Sequence, residues 1–393
     1  MKLEPAGSYE KVDQSALGGS SAIAWASRES EDPCWDRFLE ETPLGQFQQS
    51  AMWARSKESE GWKPVRVLVT VEGEILAGFQ ILWRSSWGLR MGYLSKGPVV
   101  VPGHPGLADL TTALLRKTVR GEGLWALVAQ PPDACLQMSG TLAVNGFMPN
   151  MLGRVNDATW IVDLRGGFEA VERRMGRTTR RNVRQAVSRG LKIREGGRQD
   201  VESFFELMLS TCRRQGIEPN PPDARHLLSL WDAAHPAGSI RLFFVEQEGK
   251  LLAGQLWIAF GKTLTGWKKG WAATGGERNP NDLSLYEGLK WAAENDFEFC
   301  DFSAFDRQMA LRILAGEPLS PQQEGSRHMF HVRFGGSPRL LPEARVYFPN
   351  PLIRSAYRVV FRKRLQQAER ELKLGQGMAS DRSRQKLAID PRQ

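Results

Sequence analysis

Three arginines, Arg177, Arg181 and Arg184, recur at a spacing that places them on one face of a helix, opposite small apolar residues. Side chains three and four positions apart are neighbours on a helical surface. Guanidinium groups at that spacing can each hold a pair of phosphate oxygens in a bidentate contact. The pattern predicts a surface that binds a phosphate-bearing ligand, and the alternative is a solvated helix face.

A glycine-rich loop follows an apolar strand and precedes an amphipathic helix. The loop contains Gly275, Gly276, Arg278 and Asn279. Free backbone N–H groups and the helix dipole favour an anion at such a helix start, and Arg278 would add a positive charge. The loop is therefore a candidate anion site, and the alternative is a simple helix start capped by asparagine.

Two carboxylates come after the next apolar strand. Asp301 and Asp306 flank Ser303, and carboxylates at a strand end can polarise an amine or hold a substrate. The alternative for either carboxylate is a structural cap.

His331 forms an H-x-x-H pair with His328. We expect a strand here, which would turn the two rings to opposite faces and argue against a metal pair.

The composition is that of an ordinary globular protein, with 41% hydrophobic and 25% charged residues among 393. We expect no membrane span, because no apolar window is long enough, and no secretory signal. The four cysteines lie too far apart for a zinc site or a disulfide framework. Reduced thiols, no bound metal and a cytoplasmic location are the expectations.

The net charge of +9 is concentrated in two segments: residues 171–198 carry +8 and residues 354–393 carry +7. Segregated basic patches favour a polyanionic partner such as phosphates, RNA or an anionic lipid surface, and the alternative is two solvated helices. Residues 351–374 also show the pattern of an interfacial helix on an anionic membrane. The alternative for this segment is a helix packed on the domain with snorkelling arginines.

The elements that must position these residues form one unit between residues 240 and 306. Its pattern predicts three strands, the glycine-rich loop, a helix and a buried strand. They cover residues 240–245, 251–260, 263–271, 275–281, 285–292 and 297–302.

A second hairpin repeats part of this unit. Residues 72–78 match residues 248–254 at five of seven positions, about 176 residues apart. The repeat predicts a duplicated domain, although this motif is also good hairpin chemistry. We expect a disordered leader over residues 1–32, domains over residues 33–155 and 156–345, a basic amphipathic helix over residues 346–375 and a disordered tail over residues 376–393.

Six segments then indicate a family. They are GQFQQSAMWARSK (45–57), GYLSKGPV (92–99), RTTRRNVRQAVSRGL (177–191), YEGLKWA (286–292), FCDFSAFD (299–306) and FHVRFGG (330–336). In this order they resemble the FemABX family, the tandem-GNAT aminoacyltransferases that build peptidoglycan interpeptide bridges, and the related BioF-like acetyltransferase-6 domains of cell-envelope and exopolysaccharide loci. The resemblance implies an α/β fold of two tandem GNAT-like domains with mixed central sheets flanked by helices.

The resemblance also implies chemistry: transfer of an acyl group from aminoacyl-tRNA or acyl-CoA, as co-substrate and without a bound cofactor, to an amine. Lys57, after Trp53, resembles the family's lysine at the phosphates of the acceptor. Lys96, at a strand end, is a second candidate, although either lysine could simply lie on the surface. The donor's pyrophosphate would lie at the glycine-rich loop. His331 replaces a family lysine that can stabilise an oxyanion, and could instead act as a base.

The chain departs from the family in places. The glycine-rich loop lacks the usual coenzyme A signature, which disfavours acetyl-CoA as donor. Pro131 replaces an acidic residue, so a strict peptidoglycan nucleotide substrate is in doubt. We expect N-acyl transfer to an amine of a phosphate-bearing cell-envelope, peptidoglycan or exopolysaccharide precursor, with catalysis by His331, Asp301 and Asp306 and peripheral contact with the inner membrane face. The alternative is a catalytically degenerate pair that binds RNA or membrane.

Overall fold

The computed structural model describes residues 9–133, 135–153, 155–272 and 279–365. Its strands build two mixed sheets. In chain order the strands are β1 (Glu10–Leu17), β2 (Ser20–Ser27), β3 (Lys63–Val71), β4 (Glu74–Ser86), β5 (Leu89–Ser95), β6 (Val99–Val100), β7 (Ala126–Gln130), β8 (Met148–Pro149), β9 (Ala158–Asp163), β10 (Lys192–Gly196), β11 (Ile240–Gln247), β12 (Lys250–Phe260), β13 (Thr263–Trp271), β14 (Phe299–Ala304), β15 (Ser337–Leu340) and β16 (Arg345–Tyr347).

The first sheet has the order β1-β2-β3-β4-β5-β7-β16-β8, with β6 beside β4, and the second has the order β10-β11-β12-β13-β14-β9-β15. Helices cover the sheets. They are α1 (Pro33–Glu41), α2 (Ala51–Glu58), α3 (Leu107–Gly121), α4 (Leu136–Val144), α5 (Gly167–Arg174), α6 (Arg177–Ser188), α7 (Val201–Gln215), α8 (Ala224–Ala234), α9 (Pro280–Glu294), α10 (Arg307–Ala315), α11 (Pro321–Glu324), α12 (Met329–Val332) and α13 (Pro351–Val360).

The two halves repeat one topology. In each, three antiparallel strands (β3-β4-β5 or β11-β12-β13) are followed by a helical crossover and a parallel strand. The matched hairpin turns have the same backbone, with positive φ at Glu72 and Gly73 (52° and 84°) and at Glu248 and Gly249 (50° and 75°). Positive φ at both turn residues suits the twist of a two-residue hairpin. The predicted duplication and the tandem α/β architecture are therefore present.

An apolar core joins the halves. Trp35 and Leu68 of the first half belong to the same buried cluster as Phe204, Trp231 and Phe244 of the second. Burying large side chains from both halves in one cluster contributes roughly 1.5–3 kcal/mol for each. The two halves are therefore held together by a shared hydrophobic core.

Two predicted boundaries are wrong. Within the expected leader of residues 1–32, residues 10–27 form a hairpin, β1 and β2, that pairs with β3. Ala22, Ala24 and Ala26 are buried there, so alternation of small apolar residues built a strand that the composition did not indicate. The segment 346–375 is not one helix, because β16 joins the first sheet and α13 begins only at Pro351.

No helix in the described ranges is long and apolar enough to cross a membrane. The tail expected over residues 376–393 lies outside the described residues.

Candidate functional site

The site begins where a parallel strand pair opens. β13 and β14 pair over three positions, ending at Thr265 and Asp301. A β-bulge follows, because Trp257 pairs with Gly266 and Leu256 pairs with Lys268, leaving Trp267 unpaired. Bulges re-aim side chains and are frequent beside active sites. The opened strands lie between two cavities.

The first, the carboxylate cavity, has a volume of about 350 Å³ and lies between the two halves. Lys96 and Asp133 line it from the first half, and Thr159, Lys268 and Asp301 line it from the second. The cavity therefore brings together two of the predicted residues, Lys96 and Asp301, from distant parts of the chain.

Asp301 is held rigidly at this cavity. Its carboxylate accepts hydrogen bonds from the Thr159 hydroxyl and from the Ser303 backbone N–H at 2.7 Å. Ser303 adopts a left-handed φ of 61°, which non-glycine residues rarely do. Burial, and then the nearby Asp133 carboxylate, raise the pKa of Asp301 to about 6. A carboxylate with this pKa can take a proton near neutral pH.

Lys96 is buried and forms an ion pair with Asp133. The Gln46 amide fixes the same carboxylate, donating from Nε2 at 2.7 Å. A buried lysine needs such a partner, since desolvation of an unpaired ammonium is costly. Lys96 thus lies at the cavity wall, with its charge largely neutralised by Asp133.

The second, the histidine cavity, has a volume of about 330 Å³ and lies between β13, β14, α7 and α12. Cys212, Lys269, Phe302 and His331 are among its lining residues. Its wall combines apolar side chains such as Met208 and Leu285 with polar and charged ones such as Glu218 and Arg327.

His331 lies on helix α12, so the predicted strand at this position is wrong. Its ring packs against Phe302, with centroids 5.3 Å apart, and its buried Nδ1 has no hydrogen-bond partner among the described residues. Burial, and then the charge of Lys269, lower the pKa of His331 to about 3. The imidazole is therefore neutral at physiological pH. No metal-binding group of three or more His, Cys, Asp and Glu residues occurs in the described part of the chain.

Two lysines that the sequence did not single out line these cavities. Lys268 lines both, and Lys269 lines the histidine cavity. Burial lowers the pKa of each to about 8, with Lys57 adding to the effect on Lys268 and Arg327 to that on Lys269. The sequence did contain a signal for them: two adjacent lysines inside a predicted central strand, where buried charged residues are rare without a function.

Trp53 and Lys57 lie beside the carboxylate cavity rather than in its wall. The Trp53 ring meets Trp267 edge to face at 5.8 Å, and Lys57 Nζ lies 4.8 Å from the Trp53 ring centroid. Lys57 also pairs with Glu60 at 2.5 Å. The contact brings helix α2 of the first half against β13 of the second.

The arginine face is exposed, which fits both a phosphate-binding surface and a solvated helix face. Arg177, Arg181 and Arg184 lie on α6, and none pairs with a carboxylate among the described residues. Asn182 of the same helix donates to Asp282 in the first turn of α9 at 3.1 Å. The face therefore lies next to the start of α9 and outside both cavities.

The predicted donor loop is described only at its end. Gly275, Gly276 and Arg278 lie outside the described residues. Asn279 has a φ of 54° and its side chain makes no cap hydrogen bond to α9, so the asparagine-cap alternative is wrong.

Asp306 is a helix cap rather than a cavity residue. It caps α10, accepting from the Met309 N–H at 2.7 Å, and it lines neither cavity.

The helix α13 divides the predicted apolar face. Tyr357 is buried and its hydroxyl donates to the Pro149 carbonyl at 2.8 Å, which anchors the helix to the first sheet. Leu352, Val359 and Val360 are 78%, 76% and 73% exposed. Arg358, Arg362 and Lys363 are also exposed. Part of the segment thus packs on the domain and part presents apolar and basic groups to solvent.

Comparisons with known proteins agree with this architecture. Residues 31–145 match the FemAB family and residues 173–308 match an acetyltransferase (GNAT) domain. Similar solved structures include FemX (TM-score 0.70, 19% identity, 81% of this chain and 96% of that one) and L-PGS from Bacillus licheniformis (TM-score 0.51, 11% identity, 83% and 96%). At these identities the likeness establishes the fold, and the predicted resemblance is confirmed.

Among curated proteins, the chain is 26% identical over 227 residues to a "Lipid II:glycine glycyltransferase" of Staphylococcus haemolyticus (strain JCSC1435), covering 55% of this chain and 54% of that protein. A protein of the same name from Staphylococcus aureus (strain MRSA252) is also 26% identical, with 55% and 53% covered. The chain spans about half the length of these curated relatives.

Proposed function

We propose that this chain, whose two halves match the FemAB family and a GNAT acetyltransferase domain, is an N-acyltransferase acting on an amine of a cell-envelope precursor. The observation that carries the proposal is the pair of cavities that meet beside the opened strands β13 and β14. One cavity would hold the acceptor amine and the other the acyl group. Bringing both reactants to one junction makes the reaction effectively unimolecular.

The acceptor amine would enter the carboxylate cavity. There Asp301 would take the proton that the amine must lose as its nitrogen attacks the acyl carbon. The raised pKa of Asp301, about 6, supports this role, since a base with that pKa is ionised yet still basic at neutral pH. Asp133 is committed to Lys96 and shapes the cavity beside it.

The acceptor would carry phosphate. Trp53 and Lys57 lie at the side of the same cavity, and with Lys96 they are the residues we propose for its phosphates, which would compete with Glu60 and Asp133 for the two ammonium groups. The curated relatives are named for glycine transfer to Lipid II, and an envelope precursor of that kind is the acceptor we propose.

The acyl end of the donor would occupy the histidine cavity, where neutral His331 offers its unpartnered Nδ1 as a hydrogen-bonding group. The exposed face of Arg177, Arg181 and Arg184 would then bind donor phosphates beside the start of α9, with residues 275–279 completing the contact. Three arginines along one helix, without a carboxylate partner in the described ranges, suit a polyphosphate backbone, which favours aminoacyl-tRNA over acyl-CoA.

The enzyme would work at a membrane surface through α13. The exposed Leu352, Val359 and Val360 with adjacent basic residues suit the interface of an anionic bilayer. Full-length protein should float with vesicles containing anionic lipid and not with neutral vesicles. Replacing Val359 and Val360 by serine should reduce flotation, whereas serine at the exposed Leu136 of helix α4 should not. Equal flotation of both variants would refute the surface.

A donor screen tests the reaction. Wild-type protein is incubated with Lipid II and either glycyl-tRNA or acetyl-CoA, and the product is detected by mass shift. We expect a glycyl adduct, and we expect Asp301→Asn to abolish most of it while the exposed Asp296→Asn retains it. Binding of RNA or membrane without any adduct from either donor would favour the degenerate, binding-only alternative.

A further inference from the structure

Five described residues line both cavities, and Lys268 is the charged one among these five; the others are Asn220, Trp267, Ser303 and Ala304. We propose that Lys268 is a catalytic residue that binds the oxygen of the acyl group as it becomes an oxyanion. The proposal rests on the acyl-transfer function above. It follows from position, because the reacting carbonyl must lie where the two cavities meet.

Lys268 also differs from the neighbouring lysines in its partners. Lys57 is paired with Glu60 and Lys96 with Asp133, whereas Lys268 has no ion pair with any described carboxylate. Its Nζ lies 4.9 Å from the centroid of the Trp267 ring. An ammonium group held over an aromatic face without a carboxylate remains able to meet a developing negative charge.

The other groups at the histidine cavity are less suited to this task. His331 is neutral at physiological pH, since burial and the Lys269 charge lower its pKa to about 3. Lys269 does not line the carboxylate cavity, and its Nζ lies 5.1 Å from the centroid of the Phe330 ring. Lys269 would therefore act from one side of the junction, which makes it the matched control for Lys268.

The proposed acyl transfer needs no reactant other than the donor and the amine. The amine nitrogen donates its lone pair to the acyl carbon, a C–N bond forms, and the carbonyl π electrons move to oxygen beside the Lys268 ammonium. Asp301 takes the N–H proton. Collapse of the oxyanion restores the carbonyl and breaks the bond to the ester oxygen or thioester sulfur, and that leaving group receives the proton.

The charge state of Lys268 depends on the groups around it. Burial, and then Lys57, lower its pKa to about 8, while Cys212 acts in the opposite direction. The other charged or titratable groups that line the two cavities are Lys96, Asp133, Glu218, Lys269, Asp301, Arg327, His328 and His331. Because the role needs an ammonium, activity should fall as the pH rises above about 8.

The test compares Lys268→Met, Lys268→Arg and Lys269→Met, using whichever of glycyl-tRNA and acetyl-CoA supports wild-type turnover. Loss of one oxyanion donor reduces kcat by roughly 10²–10³-fold. We expect that loss in Lys268→Met with KM little changed, and a smaller loss in Lys269→Met. Lys268→Arg should recover part of kcat and move the alkaline limb to higher pH, because the guanidinium stays charged.

Donor binding is read separately through Cys212, which lines the histidine cavity. In a background with Cys34 and Cys135 replaced by serine, the donor should slow alkylation of Cys212 equally in wild type and Lys268→Met. Wild-type-like kcat in Lys268→Met, with an active wild type, would overturn the Lys268 assignment alone. An inactive wild type with both donors would overturn the proposed function and this assignment together.

Discussion

The two parallel strand pairs have diverged in opposite directions. In the first half, β5 and β7 stay paired over five positions, from Met91 with Ala126 to Ser95 with Gln130. In the second, β13 and β14 separate after three positions. Gln49 instead bridges β4 and β5 of the first half, with Nε2 donating to the Ser95 carbonyl at 2.6 Å and Oε1 accepting from the Gln80 N–H at 2.8 Å. The parallel pair thus stays closed in one copy and opens in the other.

The residues at the last pair of each ladder show what that difference does. Gln130 ends the closed pair, and its amide donates to the Asn156 carbonyl at 2.7 Å. Asp301 ends the open pair and faces a cavity. The same place in the repeated topology is thus structural in one copy and offers a titratable group in the other. The first copy therefore serves as a structural support, and the second copy carries the candidate site.

The largest effect is expected from removing the proposed general base of the open copy. Asp301→Asn should lower kcat by roughly 10²–10⁴-fold, the usual contribution of a general base. Asparagine keeps the hydrogen bonds from Thr159 and Ser303, so the thermal midpoint should stay near wild type. Steady-state kinetics and a melting curve measure both. If kcat were maintained in this variant, Asp301 would be structural, as Gln130 is.

The next prediction concerns the packing that supports the open copy. A Cβ on Gly288 would lie 2.1 Å from Trp257 Cζ2, and Trp257 is fully buried. Overpacking of this kind costs about 1–3 kcal/mol, so Gly288→Ala should lower the free energy of unfolding by that amount or more. Gly140, within helix α4 of the first half, has open space at its Cβ. Gly140→Ala should be neutral or stabilising by about 0.5–1 kcal/mol in the same urea titration.

The third prediction uses the pKa of Asp301, which burial raises to about 6. Since a base must be ionised, kcat should be near its maximum at pH 7 and fall about tenfold per unit below pH 6. A pH profile of the purified enzyme measures this acidic limb. Asp306→Asn should leave the limb in place, because asparagine also caps helices and Asp306 lines neither cavity. A limb that moved in that variant would restore the catalytic role predicted for Asp306.

The smallest effect concerns the exposed arginine face of the second half. Reversing Arg181 and Arg184 to glutamate should raise the donor KM about tenfold at low ionic strength, with the difference shrinking as salt is added. Reversing the exposed Lys192 and Lys250 changes the net charge equally but elsewhere on the second half. If both double variants behaved alike, the effect would be one of overall charge and the face would have no specific role.

The repeat was predictable because its signals are local. The turn residues at 72–73 and 248–249 and the apolar runs beside them predict hairpins without any distant contact, and the structure contains both. The leader was mispredicted for the converse reason. β1 and β2 are short of large apolar residues and are ordered by pairing with β3, which sequence composition does not report.

The candidate site was only partly predictable. Asp301 and Lys96 were selected from motifs, but Asp133 and Lys268 were not, and Asp306 proved to be a helix cap. An aspartate at the end of a strand and an aspartate that caps a helix cannot be told apart from the sequence, because aspartate is common in both positions. Only the fold separates a carboxylate that faces a cavity from one that closes a helix.

By itself the sequence determined that this chain is a duplicated α/β protein with a segregated basic face, because periodicity, turn residues and charge are properties of neighbouring residues. The tertiary structure decided which copy stays open, which lysines lack a partner and which histidine is neutral. Those properties depend on burial and on charges brought together from distant segments, as with Asp133 beside Asp301 and Lys57 beside Lys268.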